Sequence, residues 1–232
     1  IYYNSNGLWH ESSKGYQIRN GSGTFQDVTF PGSPWQAMTV EYSQGGSSYN
    51  YTGNYDGRSY DWSVISETNL SGGGLQHVSH VMKMGVLRVT KDESWETDSR
   101  NVTLSFTVEN TSGSRIDNFR LMHAFDPDQD HNSYGTHSTR NDTHSDGLYV
   151  EAVGIRSSWT VGYGVCDKDK QDVGSSAWSA DADASFVDDA GGEADRTIHW
   201  RHREGSIGPG ETIEFAGLLV YDTNSTAARR QY

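Results

Sequence analysis

The 232 residues are 12% aromatic, with seven Trp and thirteen Tyr, which excludes a disordered chain, and the single cysteine, Cys166, excludes an intrachain disulfide or a multi-cysteine zinc site. A formal net charge of −13 and a pI near 5.0 argue against nucleic acid and anionic membrane surfaces as partners, because both need a basic face. No apolar run approaches the roughly 20 residues of a membrane helix, and the start at Ile1 without a leader pattern reads as a mature or excised segment.

The first twenty residues are aromatic and polar without clean alternation. Tyr2, Tyr3, Leu8 and Trp9 place apolar surface there, which predicts an edge strand or an assembly arm that docks on a neighbouring subunit by strand addition. Residues 21–222 then read as one β domain. Period-two alternation marks strands in TFQDVTF, QAMTVEYS, YDWSVIS, HVSHVMKM and VLRVTK. NVTLSFTVEN is the clearest case: Val102, Leu104, Phe106 and Val108 share one face, and a TSGSR turn returns the chain as IDNFRLMHAF. LYVEAVGI, SWTVGYG, TIHWRHR and TIEFAGLLVYD complete the set, with Gly, Asn, Ser and Asp clusters between them as turns. Roughly ten or eleven strands predict an all-β antiparallel sandwich, jelly-roll or Ig-like, with long Asp-rich loops. The segment Asp167–Asp195 lacks a sustained strand pattern and reads as an acidic loop that could hold a metal. Residues 223–232 read as a polar tail.

The stretch FDPDQDHNSYGTHSTRNDTHSD places Asp126, Asp128 and Asp130 at alternate positions after a strand. Calcium takes six to eight oxygen ligands, and a D-x-D-x-D turn can aim several carboxylates at one ion, with Asn132, Asn141, Asp142 and Asp146 nearby. It is not an EF-hand: His131 stands where the loop needs Gly and His137 where it needs Glu. The other reading is a solvated acidic turn whose Asp and Asn side chains bond their own backbone. His123, His131, His137 and His144 cluster in sequence without a zinc-type spacing. Asn-X-Ser/Thr triplets occur at Asn20, Asn50, Asn69, Asn101, Asn110, Asn141 and Asn224, seven of the twelve Asn, which predicts a glycosylated surface unless the Asn- and Ser-rich loops create them by composition alone.

VTLSFTVENTSGSRIDNFRLMHAFDPDQD, followed by GTHSTRND and GPGETIEFAGLLVY, resembles ligand-binding β-sandwich modules of calcium-dependent RTX adhesins of prokaryotes. The resemblance covers about Asn101 to Asp222. It implies calcium on Asp126, Asp128 and Asp130 and an extracellular or cell-surface adhesive or structural role.

No G-x-S-x-G, P-loop, HExxH or CxxC signature is present. The expectation is therefore a non-catalytic, calcium-stabilised subunit of a surface layer, thread or filament, self-associating through its N-terminal arm. The alternatives are a calcium-dependent peptide- or glycan-binding module and a secreted polysaccharide hydrolase or lyase; glycoside hydrolysis needs no more than two suitably spaced carboxylates.

Overall fold

The structure is a computed structural model and describes residues 7–9, 16–19, 25–29, 35–54, 59–187 and 192–232. β1 (Gln17–Arg19) and β2 (Phe25–Asp27) pair as a short ribbon. There follow β3 (Gln36–Gln44), β4 (Ser47–Asn54), β5 (Ser59–Tyr60), β6 (Ser63–Asn69), β7 (Leu75–Met84), β8 (Leu87–Glu96), β9 (Asn101–Asn110) and β10 (Ile116–Phe125). After a one-turn helix α1 (His131–Tyr134) come β11 (Thr139–Thr143), β12 (Tyr149–Gly154), β13 (Thr160–Val165), β14 (Gln171–Ser176), β15 (Glu193–Ala194), β16 (Thr197–Ile207) and β17 (Thr212–Asp222), and then helix α2 (Ser225–Arg229). One sheet has six strands in the order β14-β16-β10-β3-β4-β5, the other nine in the order β15-β11-β12-β13-β17-β9-β8-β7-β6. All pairings within both are antiparallel.

The alternation read in β9 holds: Val102, Leu104, Phe106 and Val108 are buried, and Phe106 packs on Trp200 of the facing sheet at 5.5 Å. Met38, Val40, Leu121, Ile198 and Trp200 from the six-stranded sheet meet Val89, Leu104, Val161, Tyr163 and Leu219 from the nine-stranded one in a single core. The sandwich is as expected, and the described residues hold seventeen strands instead of ten or eleven, fifteen of them in the two packed sheets. The added ones are short or polar, such as TRNDT in β11 and QDVGSS in β14. β6 forms a free edge of the larger sheet. Its register shifts between Val64 and Ser66, so Ile65, 56% exposed, is an extra residue opposite β7.

The N-terminal segment corrects the assembly-arm expectation. Leu8 and Trp9 are fully buried in the chain's own core, and Tyr16 packs against Trp9 at 5.2 Å. Tyr2 and Tyr3 lie outside the described residues. The reason is polar as well as apolar. Lys91 and Glu93, two apart on β8, both point into the core and pair at 3.1 Å with no exposure. Trp9 Nε1 donates to Glu93 Oε1 at 2.6 Å, and Lys91 Nζ donates to Gly7 O at 3.0 Å. Burial pulls the Lys91 pKa down, and the Glu93 carboxylate opposes that shift. The Trp9 amide donates to Gln36 Oε1. Gln36 Nε2 reaches His123 Nε2 at 2.7 Å, and His123 Nδ1 reaches the Tyr163 hydroxyl at 2.7 Å.

The C-terminal residues read as a tail are packed instead. The Asn224 side chain accepts from the Ala227 amide and caps α2. Arg229 reaches Glu151 at 2.7 Å and Asp142 at 3.3 Å. Tyr232 stacks on Tyr149 at 5.2 Å, its hydroxyl donates to Val165 O, and it fills the space above Gly164, where a Cβ would meet its ring at 2.1 Å.

Breaking the buried pair from one side strands a charge. Lys91→Met should cost about 3–5 kcal/mol in urea unfolding. Adding Glu93→Gln, which removes the charge and keeps an acceptor for Trp9, should recover at least half of that loss. A cost below about 1 kcal/mol for Lys91→Met would show that the pair does not hold the segment.

Candidate metal centre

The loop after β10 folds back over the sandwich rim. The Asp126 amide donates to Trp35 O at 3.0 Å and the Asp128 amide to Val28 O at 2.6 Å, which buries both residues. β15 pairs with β11 and delivers Asp195 to the same place. Ligand oxygens of Asp126, Asp128 and Asp195 then lie within 4.8 Å of one another. Asp126 and Asp128 are 7% and 2% exposed, whereas Asp195 is exposed. Trp178 Nε1 donates to Asp126 Oδ2 at 2.7 Å, and His137 Nδ1 stands 3.0 Å from Asp128 Oδ1. Asp126 Oδ1 is buried with no hydrogen-bond partner.

Burial raises the Asp126 pKa, and Asp128 and Asp195 raise it further, while the Trp178 bond works the other way. Burial also raises Asp128, with Asp195 adding to it. Asp195 is raised by its own partial burial, opposed by His137. Three crowded carboxylates with one orphaned oxygen form an oxygen donor set suited to a hard divalent cation.

The remaining expected ligands are not brought here. Asp130 accepts the amides of Arg156 at 2.6 Å and Ser157 at 3.1 Å, so it fastens the turn between β12 and β13. Asn132 is exposed on α1. Asn141 is buried in β11, where its Oδ1 accepts from Thr139 Oγ1 at 3.2 Å. Asp142 groups with His144 and Glu151, and Arg229 already supplies the cation for that group. Nor do the four histidines converge. His123 is in the core, the His131 and His137 rings lie 4.3 Å apart and tilted, and His144 packs on Tyr149. The expected ion on Asp126, Asp128 and Asp130 thus becomes a candidate set of Asp126, Asp128 and Asp195.

The triplet asparagines separate in the same way. Asn110 is buried with its Nδ2 donating to the carbonyls of Ser114, Ile207 and Gly208, so neither it nor buried Asn141 is open to a sugar transferase in the folded chain. Asn50, Asn69 and Asn224 are exposed and Asn101 is half-buried, while Asn20 lies outside the described residues.

The segment 167–195 is not a plain loop, because β14 and β15 lie within it. Between them, residues 177–187 cross the outer face of the six-stranded sheet. Thr39 Oγ1 donates to Ala180 O, and Arg201 donates to the carbonyls of Ala182 and Ala184. Arg201 also holds Asp172 through two bonds of 3.0 and 2.6 Å and lies 3.8 Å from the Phe186 ring. Phe186 sits over Gly174, where a Cβ would meet it at 2.3 Å. Arg120 pairs with Asp183 at 2.6 Å. Trp178 opens this crossing segment with φ 35, a left-handed conformation that non-glycine residues seldom adopt.

No family model matches the sequence, and no curated protein matches it. Among solved structures, the chain is similar to the polysaccharide lyase BACCELL_00875, with a TM-score of 0.56 and 12% identity over 96% of this chain and 33% of that one. A heparan sulfate lyase HepC mutant from Pedobacter heparinus gives a TM-score of 0.44 and 9% identity over 69% of this chain and 21% of that one. The GH36 α-galactosidase AgaB from Geobacillus stearothermophilus gives a TM-score of 0.46 and 11% identity over 90% of this chain and 32% of that one. These are carbohydrate-active enzymes, not adhesin modules, and the likeness is one of fold. The chain spans a fifth to a third of their length.

One buried histidine gives a pH test of the outer face. His199 Nε2 is 2.7 Å from Ser176 Oγ and 2.6 Å from Thr197 Oγ1, and burial, then Arg201, lower its pKa to about 3. The unfolded chain titrates this group near 6.5, so the folded state binds fewer protons below that pH. The group therefore withdraws stability as pH falls through 6.5, and the loss levels off near 3. NMR of the His199 ring should show no titration between pH 7 and pH 5; a midpoint near 6.5 would overturn the assignment.

Proposed function

We propose that the chain is an extracellular, non-catalytic β-sandwich binding module whose rim is completed by a calcium-type cation at Asp126, Asp128 and Asp195. The observation that carries this reading is Asp126 Oδ1, buried without a hydrogen-bond partner on a carboxylate that groups with two others. An ionised group left so costs several kcal/mol unless a proton or a cation answers it, and a cation answers all three carboxylates at once. The filament reading leaned on an exposed arm, and the burial of Leu8 and Trp9 takes that support away. The domain-sized fold likeness to one third of a polysaccharide lyase suits a module that works on or beside a glycan.

Saturating calcium at about 100 times its dissociation constant should stabilise the fold by about 2.7 kcal/mol, which for a domain of this size is a rise of about 5–10 °C in melting temperature. Chelation should reverse the rise, and Asp128→Asn should abolish it. An equal melting temperature with calcium and with chelator, after unfolding and refolding in chelator, would sink the proposal.

A further inference from the structure

The bonds already made by the three carboxylates limit what they can give an ion. Asp126 Oδ2 is held by the Trp178 indole N–H, which leaves Oδ1. Asp128 Oδ1 faces His137 Nδ1, which leaves Oδ2. Asp195 adds one oxygen or two. A calcium-type ion takes six to eight oxygens, so about half of its shell has to come from outside these side chains. Among the described residues, the rim is also open on one side. Asp195 is exposed, Trp178 is 41% exposed, and the His137 side chain is 39% exposed.

Trp178 is the second observation. Its left-handed backbone and its bond to Asp126 fix an indole beside the carboxylates with much of its surface in water. A large exposed aromatic side chain anchored at its polar end offers a flat apolar face to a ligand. With the three carboxylates ionised and a divalent cation bound, the cluster carries about one net negative charge, in a chain of net charge −13. That balance disfavours carboxylate, sulfate or phosphate ligands, which approach a like charge. A neutral ligand with two adjacent hydroxyls suits the cation, and a C–H face beside them suits the indole.

Resting on the cation reading above, we infer that the open side of this centre binds a neutral pyranose through two vicinal hydroxyls, with the Trp178 ring against the sugar face. Trp178 is then a binding residue twice over: its N–H orients Asp126 and its ring meets the ligand. The exposed Asp195 supplies the ligand-side oxygen of the site.

Two arms separate this inference from the reading it rests on. In the first, terbium replaces calcium, and its emission on excitation of Trp should rise on binding, fall in Trp178→Phe, and vanish in Asp128→Asn. In the second, ligand-observed NMR is run with methyl α-mannopyranoside and methyl α-galactopyranoside. At least one should bind weakly with calcium and lose at least tenfold in affinity in chelator and in Trp178→Ala. Trp178→Phe, which keeps a ring, should retain more binding than Trp178→Ala. Asp195→Asn, an exposed change with little risk to folding, should weaken sugar binding in parallel with the ion. Terbium binding with no response from either sugar overturns this inference and leaves the cation reading standing. Sugar binding that survives chelation also overturns it. Absence of terbium binding overturns both.

Discussion

The Lys91–Glu93 pair is the constraint on which the rest of the sandwich depends. Two opposite charges on the inward face of one strand would each cost several kcal/mol if left alone in that core. Their mutual contact does not exhaust their hydrogen-bonding capacity. The N-terminal segment adds the Gly7 carbonyl as an acceptor for Lys91 and the Trp9 indole as a donor to Glu93 Oε1, while Glu93 Oε2 is left without a hydrogen-bond partner among the described residues. From Trp9 a relay of polar contacts runs through Gln36 and His123 to Tyr163. It starts on β8 of the larger sheet, crosses β3 and β10 of the smaller, and returns to β13. Such a relay tolerates little sliding of one sheet over the other, because each group has a fixed reach. Apolar contacts alone would hold the layers together without fixing their register so closely.

This inner network explains what could and could not be read from the sequence. β9 was legible because its inward positions are apolar and its outward ones are not, whereas β10 and β17 were legible as long apolar-rich runs whose outward Met122, Ala124, Leu218 and Val220 pack in clusters of their own. In β8 the same alternation continues through Lys91 and Glu93, and a polarity pattern takes these for solvent-facing residues. β11 and β14 are rich in Asn, Asp, Thr, Ser and Gly yet join sheets, β11 between β15 and β12 and β14 at the edge beside β16, where pairing outweighs their low strand propensity. The acidic motif was legible as an oxygen-rich site, but its membership was not. Asp130 has the same spacing as Asp126 and Asp128 and spends its carboxylate on two backbone amides. Asp195 comes from 69 residues further along (195 − 126), placed by a two-residue strand. The acidic run in which it stands was visible; which of its nine acids would arrive was not.

The arginines show why the crowded carboxylates at the rim differ from the other acids. Asp172 is answered by Arg201 and Arg203, Asp183 by Arg120, and Glu151 with Asp142 by Arg229. Thirteen Arg against five Lys fits this use, since a guanidinium can bridge two partners in a fixed plane. At Asp126, Asp128 and Asp195 the neighbours are an indole and an imidazole. Among the described residues, neither carries the fixed positive charge found at those arginine pairs.

The extra residue in β6 bears on how this molecule lives among copies of itself. A strand laid along a sheet edge must match the edge step for step to form a continuous ladder. At Ile65 the edge advances by one residue relative to its own sheet, so a straight visiting strand falls out of phase halfway along. Its hydrogen bonds could be kept on one side of the irregularity or the other, and its side chains would then face the wrong way on the remainder. The interruption acts as a mechanical stop on sheet growth, and it leaves the broad nine-stranded layer with an edge that resists templating.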